Sequence, residues 1–451
     1  MRFKDARESG VNDWQKMGAA RLGREIGAGR LDPVELCDGF LNAIADHDLA
    51  GRIFARTTPD RARAEAKAAA QRARDGVRKG PLDGVPISWK DLYDSAGTAT
   101  EAGSRLLEGR VPDADAEVLA AASAQGLVCL GKTHLSELAF SGLGLNPMTA
   151  TPPCVNDPDA VSGGSSSGGA ASVAFGLSAG AIGSDTGGSI RLPAAWNDLV
   201  GLKATSGALP MGGVVPLCPR FDTLGPLTRT VEDAALLFAA MGGRRTDLSG
   251  ATLQGTRLMV LETSALDDLE GPIGDTFDAA IRKLEAAGAR IERHRVPAVA
   301  EAMPLSAILF AAEAYGVWRD TIEARPDLMF ANVRERFRGG RDVLASDYIG
   351  AWRRLDELRA DYLRETAGYD AVLLPTCPIL PPARARLETD VDHYVERNLM
   401  TLRNTRIGNL MGLPGLTLPT GTPSVGLLMQ TPPMTEGRLL RLGAAAESAL
   451  A

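Results

Sequence analysis

The stretch "SGGSSSGGAASVAFGLSAGAIGSDTGGSIRLPAA" (162–195) limits most severely what this chain can fold into. Two glycine–serine clusters flank a run that is apolar and small. A flexible linker joins domains across a polar boundary, and these flanks are the opposite of polar. The stretch therefore reads as buried, with its glycines serving close packing and special backbone angles rather than mobility.

Several kinds of chemistry suit such a stretch. A phosphate loop of the GxxxxGK[ST] type needs a lysine to reach the phosphates, and no lysine occurs between 133 and 202. A generic glycine turn that binds anions stays open. Gly164-Ser165-Ser166-Ser167-Gly168 matches the G-x-S-x-G elbow with Ser166 as nucleophile, a pattern that needs an acid and then a histidine downstream. Only His294 and His393 follow it. The fourth reading joins both clusters into one machine. In "SDTGGSIR" (184–191), Ser189 follows two glycines, and successive backbone amides of Thr186, Gly187, Gly188 and Ser189 can converge as an oxyanion hole. The base need not be histidine. Lys90 sits in the apolar context "GVPISWKDLYD", where burial would lower its pKa toward neutrality. Ser165 would then bridge Ser189 and Lys90.

The remainder of the chain reads as an α/β protein. It has 451 residues, 45% of them hydrophobic and 23% charged, with a formal charge of −7. An acidic balance disfavours nucleic acid as a partner. The five cysteines (Cys37, Cys129, Cys154, Cys218, Cys377) are scattered and odd in number, which points to reduced thiols in a cytoplasmic protein. The four histidines lie too far apart for a metal site. The N-terminal "MRFKDARESG" lacks an apolar signal core, and no apolar stretch is long enough for a membrane span.

"LDPVELCDGFLNAIADHD" predicts a helix capped by Asp32 with Pro33 at its first position. "RARAEAKAAAQRARDGVRKG" (61–80) predicts a solvated helix face. Strands are expected in 84–92, 126–133 and "DAVLLPT" (370–376), with a helix beginning near "HLSELAF" (134–140). Residues 257–295 read as strand–helix–strand, with Phe277, Ile281 and Leu284 on one helix face and Gly288 at its end. Residues 300–365 are helical and carry Phe310, Tyr315, Trp318, Tyr348 and Trp352.

Taken together, these segments resemble the amidase signature family. "GVPISWKDLYDSAGTATEAGS" (84–104) is similar to its lysine segment, and residues 162–205 resemble its Gly/Ser signature almost end to end. "GKTHLSELAF", "DTLGPLTRTVEDAALL", "YDAVLLPTCP" and "NLMGLPGLTLPTG" extend the likeness, in order, over nearly the whole chain. The resemblance implies a single domain over 1–451, built as a large mixed sheet covered by helices on both faces. Within it, 1–80 would be an N-terminal helical part, 81–245 the catalytic core and 300–365 a helical cap over the substrate pocket.

The resemblance places the family's lysine on Lys90, its bridging serine on Ser165 and its nucleophile on Ser189. The bridging serine would follow a cis peptide bond. Ser166, Asp185 and Arg191 are expected to support the loop, the last two as a buried charged pair. Met148, Ile190, Leu209 and Cys218 are candidates to line the pocket.

The implied activity is hydrolysis of a C–N bond in a small-molecule amide or carbamate through an acyl-enzyme, without metal or organic cofactor. The expected oligomeric state is monomer or homodimer. The helical region's apolar residues suggest a neutral, apolar or aryl substrate. The family also contains the glutaminase subunit of the tRNA-dependent amidotransferase, which is the rival reading. A silent scaffold is a third, opposed by the intact Lys90, Ser165 and Ser189. The tail "SVGLLMQTPPMTEGRLLRL" (424–442) departs from the family's usual pattern near P-x-G-x-Q.

Overall fold

Eleven strands form one mixed sheet in the computed structural model, which describes residues 13–451. They are β1 (Phe54–Thr57), β2 (Pro86–Lys90), β3 (Val128–Thr133), β4 (Ala181–Asp185), β5 (Val200–Lys203), β6 (Thr223–Thr228), β7 (Arg257–Leu261), β8 (Arg290–His294), β9 (Ala371–Pro375), β10 (Gly415–Pro419) and β11 (Gly426–Gln430). Their spatial order is β1-β3-β2-β4-β6-β5-β10-β11-β9-β7-β8. Strand β2 runs parallel to β3 and β4. From β4 through β6, β5, β10 and β11 to β9 the pairing is antiparallel, and it returns to parallel through β7 and β8.

Successive residues of a strand point to opposite faces. In β2, β3, β4, β5, β9 and β11 every residue is buried, so both faces of the central sheet are covered. The edges differ. β8 reads Arg-Ile-Glu-Arg-His and is largely exposed, a charged rim of the kind that blocks edge-to-edge pairing.

The described local structure follows the sequence closely in several places. Asp32 caps the Pro33–Asp46 helix by accepting from the Val34 amide, and Cys37, Leu41 and Ile44 lie on its buried face. The 257–295 segment forms β7, the Ile273–Ala286 helix and β8, with Phe277, Ile281 and Leu284 buried. Helices Leu305–Ala324, Ala331–Arg338 and Ala345–Thr366 fill the 300–365 region. They pack on the main apolar cluster: Phe310 meets Phe221 edge-on at 4.3 Å and Trp352 stacks on Phe221 at 4.8 Å. No helix among the described residues is long and apolar enough to cross a membrane. The polar N-terminal stretch, 1–10, lies outside the described residues.

One expectation is corrected. "HLSELAF" does not start a helix; it makes a single tight turn, Glu137–Ala139, with Leu138 and Ala139 at positive φ. Tertiary bonds take the groups a helix would use. The Ser136 amide donates to the Ser165 carbonyl and the Leu138 amide to Ala102. The buried Glu137 carboxylate accepts from Ser104 Oγ and the Phe330 amide.

The sheet centre depends on close backbone approach. Gly225 of β6 faces Gly183 of β4, and a Cβ at 225 would lie 1.9 Å from the Leu202 carbonyl oxygen. A backbone atom inside a sheet cannot step aside. Gly225→Ala is expected to destabilise the protein by about 1–3 kcal/mol, read as a lower urea midpoint. A stability within about 0.5 kcal/mol of the parent would show that the sheet is looser here than described.

Candidate active site

Lys90 ends β2, deep in the sheet and with no exposure. Its Nζ donates to Ser165 Oγ at 2.7 Å and to Ser184 Oγ at 2.8 Å. Burial is the main influence on the amine and lowers its pKa to about 7, with the charges of Asp185 and Asp222 offsetting only part of that effect. Two other lysines are equally buried but differently partnered. Lys132 sits 3.4 Å from the Asp91 carboxylate, and Lys203 donates to the Ala204 and Leu413 carbonyls. Carboxylates and carbonyls only accept hydrogen bonds, whereas hydroxyls also donate. Burial draws the Lys203 pKa to about 7 as well, and Lys132 also donates to Thr100 Oγ1, but Lys90 alone of the three bonds only to hydroxyls, which suit a neutral amine as well as an ammonium.

Ser165 follows a cis peptide bond from Gly164. Two residues later begins the Ser167–Ala174 helix, which packs on β2 and β4. Ser166 is fully buried, and its Oγ donates to the Ser184 carbonyl and accepts from the Ser184 amide. That hydroxyl is engaged with backbone, and His294 lies on the exposed strand β8 beside Glu292. Neither His294 nor His393 hydrogen-bonds Ser166 among the described residues, so the elbow reading lacks its base.

β4 ends at Asp185, where the second glycine–serine cluster begins. Asp185 and Arg191 form a wholly buried ion pair at 2.9 Å. The carboxylate also accepts from the Gly188 amide (2.8 Å), the Ile190 amide (3.1 Å) and Asn409 Nδ2 (2.9 Å). Burial by itself would raise its pKa. The Arg191 charge and hydrogen bonds, with Lys203 and Asn409, outweigh this and hold it well below the usual carboxylate range. Arg191 also reaches the Thr405 carbonyl and Asn409 Oδ1, which ties the loop to the Arg403–Leu410 helix.

Gly188 has φ +137°, and a Cβ there would lie 2.0 Å from Thr405 Oγ1. Its amide, expected to face an oxyanion, instead donates to Asp185. The amides of Thr186, Gly187 and Ser189 have no partner among the described residues.

Ser189 is 5% exposed and opens onto a cleft enclosing about 320 Å³ of empty space, part of it continuous with solvent. Thr186, Gly187, Ala139, Phe140, Ser141, Leu217, Phe310, Leu402, Arg336 and Arg406 complete its lining. The Ser189 carbonyl accepts from the Ser166 amide, so the two clusters join at this point.

Four residues expected in the pocket lie elsewhere. Ile190 turns into an apolar cluster with Ala194 and Leu227. Cys218 donates its thiol to the Phe310 carbonyl. Leu209 belongs to the main core, and the half-buried Met148 stands outside the cleft lining. The residues missed are more telling. Ser184 reaches Lys90 only because β4 pairs with β2, and strand pairing is not written in a single sequence. Asp222 accepts from Thr186 Oγ1 and from the Leu217 and Cys218 amides, fixing the cleft wall. Arg336 and Arg406 bring positive charge into a cleft expected to be neutral.

Comparison with known proteins agrees with this architecture. The Amidase family profile matches residues 35–440. The 2-amino-5-chloromuconic acid deaminase of Comamonas testosteroni is 35% identical over 448 residues, 96% of this chain and 97% of its own. A glutamyl-tRNA(Gln) amidotransferase subunit of Symbiobacterium thermophilum is 31% identical, over 94% and 95% respectively. A crystal structure of an amidase superposes with a TM-score of 0.87 at 28% identity, covering 96% of this chain and 100% of the other. The chain belongs to the amidase signature family, whose members fold as a large mixed sheet with helices, and it is a hydrolase of C–N amide bonds.

Removing one partner of a buried ion pair leaves the other charge uncompensated. Arg191→Met is expected to cost about 3–5 kcal/mol, and Asn409→Leu, which deletes hydrogen bonds but no charge, about 1–3 kcal/mol. Urea unfolding of both variants checks this order. A milder effect for Arg191→Met than for Asn409→Leu would contradict the role given to the ion pair in the loop.

Proposed function

We propose that Ser189 is the nucleophile, with Ser165 and Lys90 relaying its proton, in the hydrolysis of a small-molecule amide. The observation that carries this reading is the 2.7 Å contact between the buried Lys90 amine and Ser165, one residue from the amide that meets Ser189. An ammonium cannot accept a proton. A lysine whose pKa is drawn to about 7 is in large part neutral at physiological pH and can act as a general base.

In this mechanism Ser189 Oγ attacks the carbonyl carbon. Its proton passes to Ser165, and the Ser165 proton passes to Lys90 Nζ. The Thr186, Gly187 and Ser189 amides stabilise the oxyanion, while Gly188 is reserved for holding the loop. The relay then returns a proton to the leaving nitrogen, and water releases the acyl group. The same acyl transfer serves a carbamate as well as an amide. The whole chain acts as one catalytic unit, with 81–245 supplying the chemistry and 300–365 capping the cleft. Phe140, Leu217, Phe310 and Leu402 give the substrate's body an apolar seat.

Relatedness to the amidotransferase keeps a glutaminase as the second reading. Glutamine carries an α-ammonium, which needs an acidic partner. No aspartate or glutamate lines the cleft among the described residues, and two arginines do. The small-molecule amidase is therefore favoured. The deaminase relative acts, by its name, on a small amino-substituted acid, which accords with a small substrate.

Ser189→Ala is expected to abolish turnover on an amide panel. Lys90→Ala should slow it by about 10³-fold or more, and near-parental rates for either variant would reject the assignment. The pH dependence has a definite sign. The neutral amine grows as pH rises, so kcat/KM should climb through an apparent pKa of about 7 and level off above it. A rate that falls as pH rises through neutrality would rule out Lys90 as the base.

A further inference from the structure

The cleft holds two guanidiniums and no carboxylate among the described residues. Arg336 comes from the Ala331–Arg338 helix and Arg406 from the Arg403–Leu410 helix, about 70 residues apart in sequence. The arginines beside Arg336 on its own helix are neutralised: Arg334 pairs with Glu335, and Arg338 pairs with Glu323 and Glu335. Arg336, between them, has no ion pair among the described residues. It donates to the Phe140 carbonyl at 3.2 Å and lies over the Phe140 ring, 4.4 Å from its centroid. Those contacts fix the plane of the group and leave further N–H donors free. The Arg406 side chain has no hydrogen-bond partner among the described residues, and both arginines are only partly exposed.

Two cations facing one semi-enclosed space repel each other. Burial, and after it the charge of Arg336, draws the Arg406 pKa down to about 10. Glu137 does not relieve the repulsion at the cleft, since it is turned to Ser104 and the Phe330 amide. An anion bound between the two groups would do so. A guanidinium is planar and presents parallel donors that match a carboxylate. The larger apolar side chains of the lining, Phe140, Leu217, Phe310 and Leu402, suit a short carbon skeleton rather than a phosphate.

From this we infer that the substrate is a half-amide of a small dicarboxylic acid, its free carboxylate held by Arg336 and Arg406 while its amide faces Ser189. The reaction named here rests on the Ser189 reading, but recognition of the carboxylate does not. The inference replaces the expectation of a neutral substrate.

Calorimetric titration of the Ser189→Ala protein separates the two. The probes are a series of ω-carbamoyl carboxylates, from succinamate to adipamate, and the methyl ester of each. At least one acid is expected to bind, about 30-fold or more tighter than its ester, the size of one well-formed charged hydrogen-bond pair. Arg336→Gln and Arg406→Gln should each erase most of that acid-over-ester preference while affecting the ester little, which a purely structural role would not do. The acid–ester comparison on the unsubstituted arginines stands even where an arginine variant fails to fold. Equal binding of acid and ester, binding of none of the acids at millimolar concentration, or a preference unchanged in both folded arginine variants would overturn the inference. Cleavage of the probe during titration would instead count against Ser189 as nucleophile.

Discussion

The buried pair of Asp185 and Arg191 is the constraint on which the rest of the site depends. The loop between β4 and the Arg191–Trp196 helix is rich in glycine, so side-chain packing cannot set its shape. Hydrogen bonds to one carboxylate do so instead, through the Gly188 and Ile190 amides. A carboxylate with no exposure is tolerable only beside a compensating charge, and Arg191 supplies it. The same guanidinium reaches Thr405 and Asn409, so the loop is fixed to the helix that also presents Arg406. Because Gly188 points its amide inward, the neighbouring amides of Thr186, Gly187 and Ser189 are left without internal partners. The proposed oxyanion hole thus follows from how the loop is tied down.

Lys90 illustrates the opposite use of burial. It lies in the same sheet, one strand from Asp185, yet its direct partners are two hydroxyls. A buried amine without a directly bonded anion loses part of its affinity for a proton. Arg191 and Lys90 therefore divide two tasks that one cation could not perform together. One remains charged to stabilise a loop, and the other, in the proposed mechanism, gives up charge to accept a proton. The strands make this division: β2 delivers the lysine between β3 and β4, and β4 delivers Ser184 against it and Asp185 beyond it.

Where function is local in the chain, the sequence was readable. Asp32 before Pro33, the 257–295 strand–helix–strand unit and the Gly/Ser signature all depend on neighbours a few residues away. The segments that bring Lys90, Ser165 and Ser189 near one another were legible because those motifs are long and specific. Residues that act across the sheet or between distant helices were not. Ser184 carries no signal of its own, and Arg336 sits in "VRERFRGG", which looks like any charged helix face. Arg406 precedes a recognised segment and Asn409 begins it, but only the fold shows that one meets the cleft and the other meets Asp185. The turn at Glu137–Ala139 failed as a predicted helix for the same reason: its partners, Ala102, Ser104, Ser165 and Phe330, are remote. Ile190 follows Ser189 and Cys218 follows the lining residue Leu217, but a neighbour's position in sequence does not decide which way a side chain turns.

The central claim is that one serine, activated by one lysine, performs the chemistry. Its most direct test is reaction with a serine-directed fluorophosphonate followed by peptide mass mapping. A single label on Ser189 is predicted, retained in Arg406→Gln and lost in Lys90→Ala. A label on Ser166, or a label on Ser189 that forms equally fast without Lys90, would contradict it.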